Sequence, residues 1–267
     1  MLLEGKNVVI YGGAGTIGSA TALVFAREGA RLFLAGRTEA PLVDVADQIR
    51  TAGGQADVAV VDALDERAVT AYIDHVVDRA GRVDVSFNVI GCDVGDQGVP
   101  LTSMTAEQFQ APVAAYPRSQ FIAAKAAARH MTAQGSGLIM TISAPMARMP
   151  AALTGSYGVA FAAVENLSRQ LAAELGPAGV RVVCLRPTGM PESARRSGSL
   201  THQTWSRAAD QLGLSLEELL EQVGAGTMRR RELAVAEIAE AAALLACDRA
   251  SALTGTTANV SAGAVVD

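Results

Sequence analysis

The sequence is short of the residues from which disulfide frameworks and metal centres are built. Its 267 residues include three cysteines and three histidines. Cys92, Cys184 and Cys247 are dispersed and form no Cys-x-x-Cys pair, and His75, His130 and His202 are equally scattered. A disulfide scaffold and a metal site are therefore not expected, and a reduced compartment is. Charge is scarce as well, at 18% of residues, and the net charge of −5 gives no general attraction to nucleic acid or to an anionic membrane. The cationic run Arg229-Arg230-Arg231 reads as a solvated turn. No apolar run approaches the roughly 18 residues that span a bilayer, and no signal-peptide pattern precedes the first strand. The expectation is a soluble, cytoplasmic protein that acts on a small molecule, without a metal.

Hydrophobic residues, by contrast, make up 50% of the chain, enough for a sizeable core. They fall into alternating strand and helix patterns. Apolar runs at Val8–Tyr11, Arg31–Ala35, Ala56–Val61, Val83–Ile90, Leu138–Ile142, Val180–Leu185 and Thr257–Val260 read as buried parallel strands. Helical periodicity lies between them: from Ile17 to Gly29, around Leu42–Ile49 and Ala68–Val76, from Thr105 to Ala133, over Tyr157–Leu175, and over Val235–Ala246. Pro112 and Pro117 are expected to bend or divide the fourth of these helices. The alternation stops over residues 188–231. This long excursion holds one short helix, Leu216–Val223, with a Ser215/Glu218 capping box. It reads as a lid or substrate loop, and its apolar residues Met190, Leu200, Trp205, Leu212 and Leu214 suit a hydrophobic small molecule. The fold expected is α/β: a doubly wound, seven-stranded parallel sheet (a Rossmann fold) in a single domain.

Ligands of such sheets sit at the carboxyl ends of the strands, so those positions come next. The first strand runs into Tyr11-Gly12-Gly13-Ala14-Gly15-Thr16-Ile17-Gly18, a glycine turn feeding a helix N-terminus, which suits phosphate. Thr16 can cap the helix or touch the pyrophosphate. The second strand ends in Gly36-Arg37, where a site selective for NAD usually has a carboxylate about 20 residues past the glycines. A guanidinium there suits a 2′-phosphate, so NADP(H) is expected over NAD(H). Asp62 and Ala63 end the third strand, where Asp62 can accept from the adenine amino group or cap the next helix. Asn88 and Gly91 end the fourth, Ser143 and Ala144 the fifth, and Pro187 the sixth.

Together these positions resemble the short-chain dehydrogenase/reductase family, from Gly5 to Gly263. The family's TGxxxGxG motif aligns with Tyr11–Gly18 and keeps Gly12 and Gly18, with Thr16 at the middle glycine. Its NNAG motif aligns with Asn88–Gly91 and keeps the outer two residues. Asp62 matches the adenine-contacting aspartate, Pro187 the proline of the PG motif, and Thr254-Gly255 with Gly263 the C-terminal segment. The resemblance implies a nicotinamide cofactor held by Gly12, Thr16, Ile17, Gly18, Arg37, Asp62, Ala63, Asn88, Gly91 and Pro187. It also implies a homo-oligomer, commonly a tetramer, packed through the helices that follow the fourth and fifth strands.

The catalytic positions depart from that pattern. The family uses a tyrosine as general acid or base, a lysine four residues on that lowers its pKa, a serine that orients the carbonyl, and an asparagine in the preceding long helix. Here the tyrosine is Tyr157, the lysine position is Phe161, the serine position is Ala144 with Ser143 adjacent, and the asparagine position falls near Tyr116. A free tyrosine, with a pKa of about 10, is only about 0.1% ionised at pH 7. Losing about three units of pKa lowering costs roughly 4 kcal/mol, near a thousandfold in rate. Arg148, Arg186 and Lys125 are the cations left to compensate. Reduction suffers less than oxidation, because neutral tyrosine donates the proton. The leading expectation is an oxidoreductase passing hydride between NADP(H) and an apolar carbonyl or alcohol, with Tyr157 and Ser143 as the catalytic candidates. The alternatives are a dinucleotide-binding protein without turnover, and a dehydratase- or cyclase-like enzyme reusing the pocket.

Overall fold

A computed structural model of the chain describes residues 1–92 and 98–266. Seven strands form one sheet in the order β3-β2-β1-β4-β5-β6-β7, and every neighbouring pair is parallel. They are β1 (Asn7–Tyr11), β2 (Arg31–Gly36), β3 (Gln55–Val60), β4 (Val85–Asn88), β5 (Gly137–Ile142), β6 (Val180–Pro187) and β7 (Thr256–Val260). The doubly wound expectation holds. Successive strand residues serve opposite faces. Val8 and Ile10, with Leu32 and Leu34, pack into one core, and Val9 and Tyr11, with Phe33 and Ala35, pack into the other. The first core is covered by α1 (Thr16–Arg27), α2 (Glu39–Thr51) and α9 (Val235–Ala246). The second is covered by α3 (Glu66–Ala80), α4 (Ala106–Gln134) and α5 (Tyr157–Leu175). Chain order reverses between β1 and β4, so the turns after these two strands open into the same crevice.

Pro112 and Pro117 do not divide α4. It runs unbroken from Ala106 to Gln134, closed by a Thr105/Gln108 capping box at one end and by left-handed Gly135 at the other. Burial of Pro112, Tyr116, Ile122, Ala123 and Met131 holds it through the backbone bonds that the prolines forfeit. The excursion is more regular than its sequence suggests. Besides the expected helix, here α8 (Leu216–Ala225) with its capping box, it contains α6 (Pro191–Arg195) and α7 (Leu200–Leu212). Arg195 ties these pieces together through ion pairs to Glu217 at 2.9 Å and Glu232 at 2.8 Å. Among the described residues, no helix is long and apolar enough to cross a membrane.

Candidate active site

At the switch point, the amides of Gly12 and Gly13 both donate to Ala35 O, at 2.8 and 3.0 Å, which folds the glycine turn against the end of β2. Gly12 has φ +78, a left-handed conformation, and a Cβ there would lie 3.0 Å from the Val89–Ile90 backbone. Gly18 is more constrained still, since its Cβ would stand 2.1 Å from Gly12 O. The helix is thereby drawn onto the strand end. Gly15 is the N-cap of α1 and supplies no side-chain cap, so Thr16 begins the helix and does not cap it. The first backbone bond of the helix, from Ser19 N to Gly15 O at 2.8 Å, leaves the preceding amides without an intrahelical acceptor. An uncapped helix start beside a tight glycine turn fits the pyrophosphate of a dinucleotide.

A cavity of about 500 Å³ adjoins this turn. Of the residues expected at the site, Thr16, Ile17, Gly91, Ser143, Tyr157 and Pro187 line it. Gly12, Gly18 and Asn88 are not on its wall; the first two shape the turn behind it. Asn88 is buried, its Oδ1 accepting from Ile90 N at 3.2 Å and its carbonyl accepting from Gln120 Nε2 at 3.1 Å. Arg37, Asp62 and Ala63 stand apart, at the ends of β2 and β3. Arg37 is exposed and forms no ion pair among the described residues. Asp62 accepts from Leu64 N at 2.9 Å, whereas the cap of α3 is Asp65, so the capping role proposed for Asp62 belongs to its neighbour. Ala63 packs its methyl into the core. Arg37 and Asp62 are near enough to act in opposite senses on the Cys92 thiol, which burial pushes up to about 11.

The wall around Tyr157 is aromatic. The Tyr157 ring meets Phe161 at a centroid distance of 4.4 Å and Tyr116 at 5.5 Å, both edge to face, and Tyr116 meets Phe161 at 4.7 Å. The Tyr116 hydroxyl lies 3.4 Å from both the amide and the carbonyl of Cys92. Burial pushes the Tyr157 phenol up to about 12; a hydrogen bond with Tyr116 opposes the rise, and Cys92 adds to it. Among the described residues, Tyr116 and Cys92 are the groups that act on this phenol.

The three candidate replacements for the lysine are accounted for. Lys125 pairs with Glu66 at 2.7 Å on the outer surface. Arg148 is exposed and off the cavity wall. Arg186 is buried and bound by Glu165, at 2.7 Å from Nε and 2.9 Å from Nη2. Ser143 belongs to this buried group, because its hydroxyl donates to Glu165 Oε1 at 2.8 Å. Ser143 follows the last residue of β5, and its hydroxyl proton is engaged by Glu165 and not offered to the cavity. Ala144 itself presents only a methyl to the cavity.

The far wall comes from the excursion. Met190, Leu200, Trp205 and Leu212 line the cavity as expected, and Leu214 does not. Gly189 makes room for the Trp205 ring, which a Cβ would meet at 2.6 Å. Thr16 Oγ1 lies 3.2 Å from Ser193 Oγ, which donates to Thr201 Oγ1 at 3.1 Å, so the excursion is joined to the glycine turn by hydroxyls. Glu165, Thr188, Ser193 and Arg196 were missed at the sequence level. The only visible signals were charges inside apolar patterns, Glu165 within the α5 stripe and Arg186 at the end of an apolar strand.

Comparison with known proteins agrees with this geometry. Residues 12–265 match the family described as enoyl-(acyl carrier protein) reductase. The secoisolariciresinol dehydrogenase of Forsythia intermedia is 30% identical over 256 residues, covering 95% of this chain and 86% of that protein. The cis-4-hydroxycyclohexanecarboxylate dehydrogenase of Sinomonas cyclohexanicum is 30% identical over 258 residues, covering 97% and 96%. The crystal structure of NAD+-bound xylitol dehydrogenase superposes with a TM-score of 0.88 at 25% identity, covering 97% of this chain and 99% of that one. With the parallel sheet, the glycine turn and the tyrosine on the cavity wall, these matches make the chain a member of the short-chain dehydrogenase/reductase family, whose members use a nicotinamide dinucleotide.

Proposed function

We propose that the protein is an NADP(H)-dependent reductase of an apolar carbonyl compound, with Tyr157 as a neutral proton donor. The observation that carries this reading is the uncharged surrounding of Tyr157. Its phenol stands on the wall of a cavity shared with Thr16 and Ile17, and it is influenced by Tyr116 and Cys92 and by no cation. A phenol held protonated is suited to giving a proton to a carbonyl oxygen and poorly suited to taking one from an alcohol. When bound, the nicotinamide supplies the hydride. Gly12, Gly18 and the start of α1 would hold the pyrophosphate, and Asp62 and the strand-end residues Ala63, Asn88, Gly91 and Pro187 would flank the rest of the dinucleotide. Arg37 supports NADP(H) over NAD(H), because it is an exposed guanidinium, without an ion pair among the described residues, where a carboxylate would serve the ribose hydroxyl. Ser143 has its proton committed to Glu165, so in this reading it supports the wall and does not orient the carbonyl. Assembly as a homo-oligomer is part of the proposal, supported by exposed Phe121 on α4 and Val159 on α5.

One observation favours a second reading, binding without turnover: the Phe161 ring fills the position from which a lysine would reach the ribose. A single experiment separates the two. NADPH binding is measured by its fluorescence, and NADPH consumption is followed over a panel of apolar ketones. Reduction is expected, with Tyr157→Phe lowering kcat by roughly a hundredfold while NADPH affinity stays unchanged. Binding without consumption of any ketone supports the second reading, and an active Tyr157→Phe variant removes Tyr157 from the chemistry.

A further inference from the structure

Two adjacent arginines at the end of α6 are used differently. Arg195 is held by Glu217 and Glu232 and latches the lid. Arg196 has no ion pair among the described residues, and it is the one charged side chain among those lining the cavity. The hydroxyls around it are already engaged. Ser199 Oγ donates to Ser193 O at 2.7 Å and accepts from His202 N at 3.0 Å, and Ser193 Oγ donates to Thr201 Oγ1. The lid thus offers a ligand apolar surface and one uncommitted guanidinium. No carboxylate on the described wall could receive a cationic substrate.

We propose that the substrate is an apolar carbonyl compound bearing a carboxylate, and that Arg196 receives that carboxylate at the cavity mouth. This rests on reading the cavity as the substrate site. A guanidinium pairs with a carboxylate through two parallel N–H bonds, and an apolar surround strengthens the pair by excluding water. The exposure of Arg196 lets it stay solvated until the ligand arrives, so the free protein does not bear the cost of a buried lone charge. One other anion could come within reach, the pyrophosphate of the dinucleotide, because Gly15 and Thr16 line the same cavity.

The test uses Trp205, the chain's only tryptophan and a cavity-lining residue, as the reporter. 4-Phenylbutyrate and its methyl ester are titrated against its fluorescence, with and without NADP+, in the wild type, Arg196→Met and Arg196→Lys. The acid is expected to bind about tenfold more tightly than the ester, with the preference lost in Arg196→Met and largely kept in Arg196→Lys. Equal binding of acid and ester by the wild type overturns the proposal, and so does a preference that survives Arg196→Met. Weakened NADP+ binding in Arg196→Met with the acid preference intact assigns the guanidinium to the cofactor, which also overturns it. If the Arg196-dependent preference holds but no keto acid is reduced with NADPH, the oxidoreductase reading fails and the anion site stands.

Discussion

Tyr157 and Phe161 are one helical turn apart, and their relation decides the chemistry. A lysine at position 161 would place a cation under the phenol and pull its pKa down. A phenylalanine there supplies an aromatic edge, Tyr116 closes the other side, and the phenol rises to about 12. The two departures, Phe161 and Ala144, were plain in the sequence. What fills the vacated space was not, because Tyr116 arrives from α4, and the Ser143–Glu165–Arg186 group joins three elements across 21 or more positions of chain. Arg37 gives the residue-scale test of cofactor choice. Arg37→Ala should weaken NADPH binding roughly tenfold and leave NADH within a factor of about two, since one charge-assisted phosphate contact at an exposed site is removed. Fluorescence titration of both cofactors measures this, and equal weakening of the two would mean that Arg37 does not read the 2′-phosphate.

At the scale of elements, the strand-turn-helix unit from β1 to α1 is the best determined part of the molecule. Its glycines follow from the close approach of helix and strand, and at Gly18 the space allows nothing larger than hydrogen. Gly18→Ala should push α1 off the turn. The expected result is a fall in Tm of roughly 5–10 °C, as for overpacking of a core, together with loss of NADPH binding; thermal unfolding and titration read the two effects. Unchanged binding would show that the helix start does not contribute to the site. Strand and helix positions were legible because short, continuous apolar runs alternate with segments of 3.6-residue periodicity in this chain. Two features at this scale differ from what the sequence suggests: α4 is not divided at Pro112 or Pro117, and the excursion holds two helices besides α8. Proline penalties in α4 are outweighed by burial and good caps. In the excursion, α6 is only five residues long, and α7 carries its apolar residues Leu200, Trp205 and Leu212 toward the cavity, where they read as loop residues facing a ligand and not as a helix stripe.

For the whole molecule, parallel strands and a reversal of chain order bring the glycine turn, Tyr157 and the excursion to one edge of the sheet. In the proposed reading, the glycine turn at this edge holds the dinucleotide, and Phe161 and Tyr116 pack around Tyr157 where the family's pattern has a lysine. In that reading, this arrangement leaves a proton donor for reduction and hardly any base for oxidation. With the phenol raised to about 12, the neutral form persists through the ordinary pH range and is lost only above that value. The phenolate needed for oxidation is scarce and increases about tenfold per pH unit. The direct test is the pH dependence of kcat/KM for ketone reduction by NADPH and for oxidation of the corresponding alcohol by NADP+, in the same wild-type protein. Between about pH 6 and 10, reduction should stay level while oxidation climbs steadily without a plateau. An oxidation rate that levels off near about pH 7 to 8 would mean that a base is already formed at neutral pH, and would contradict the account.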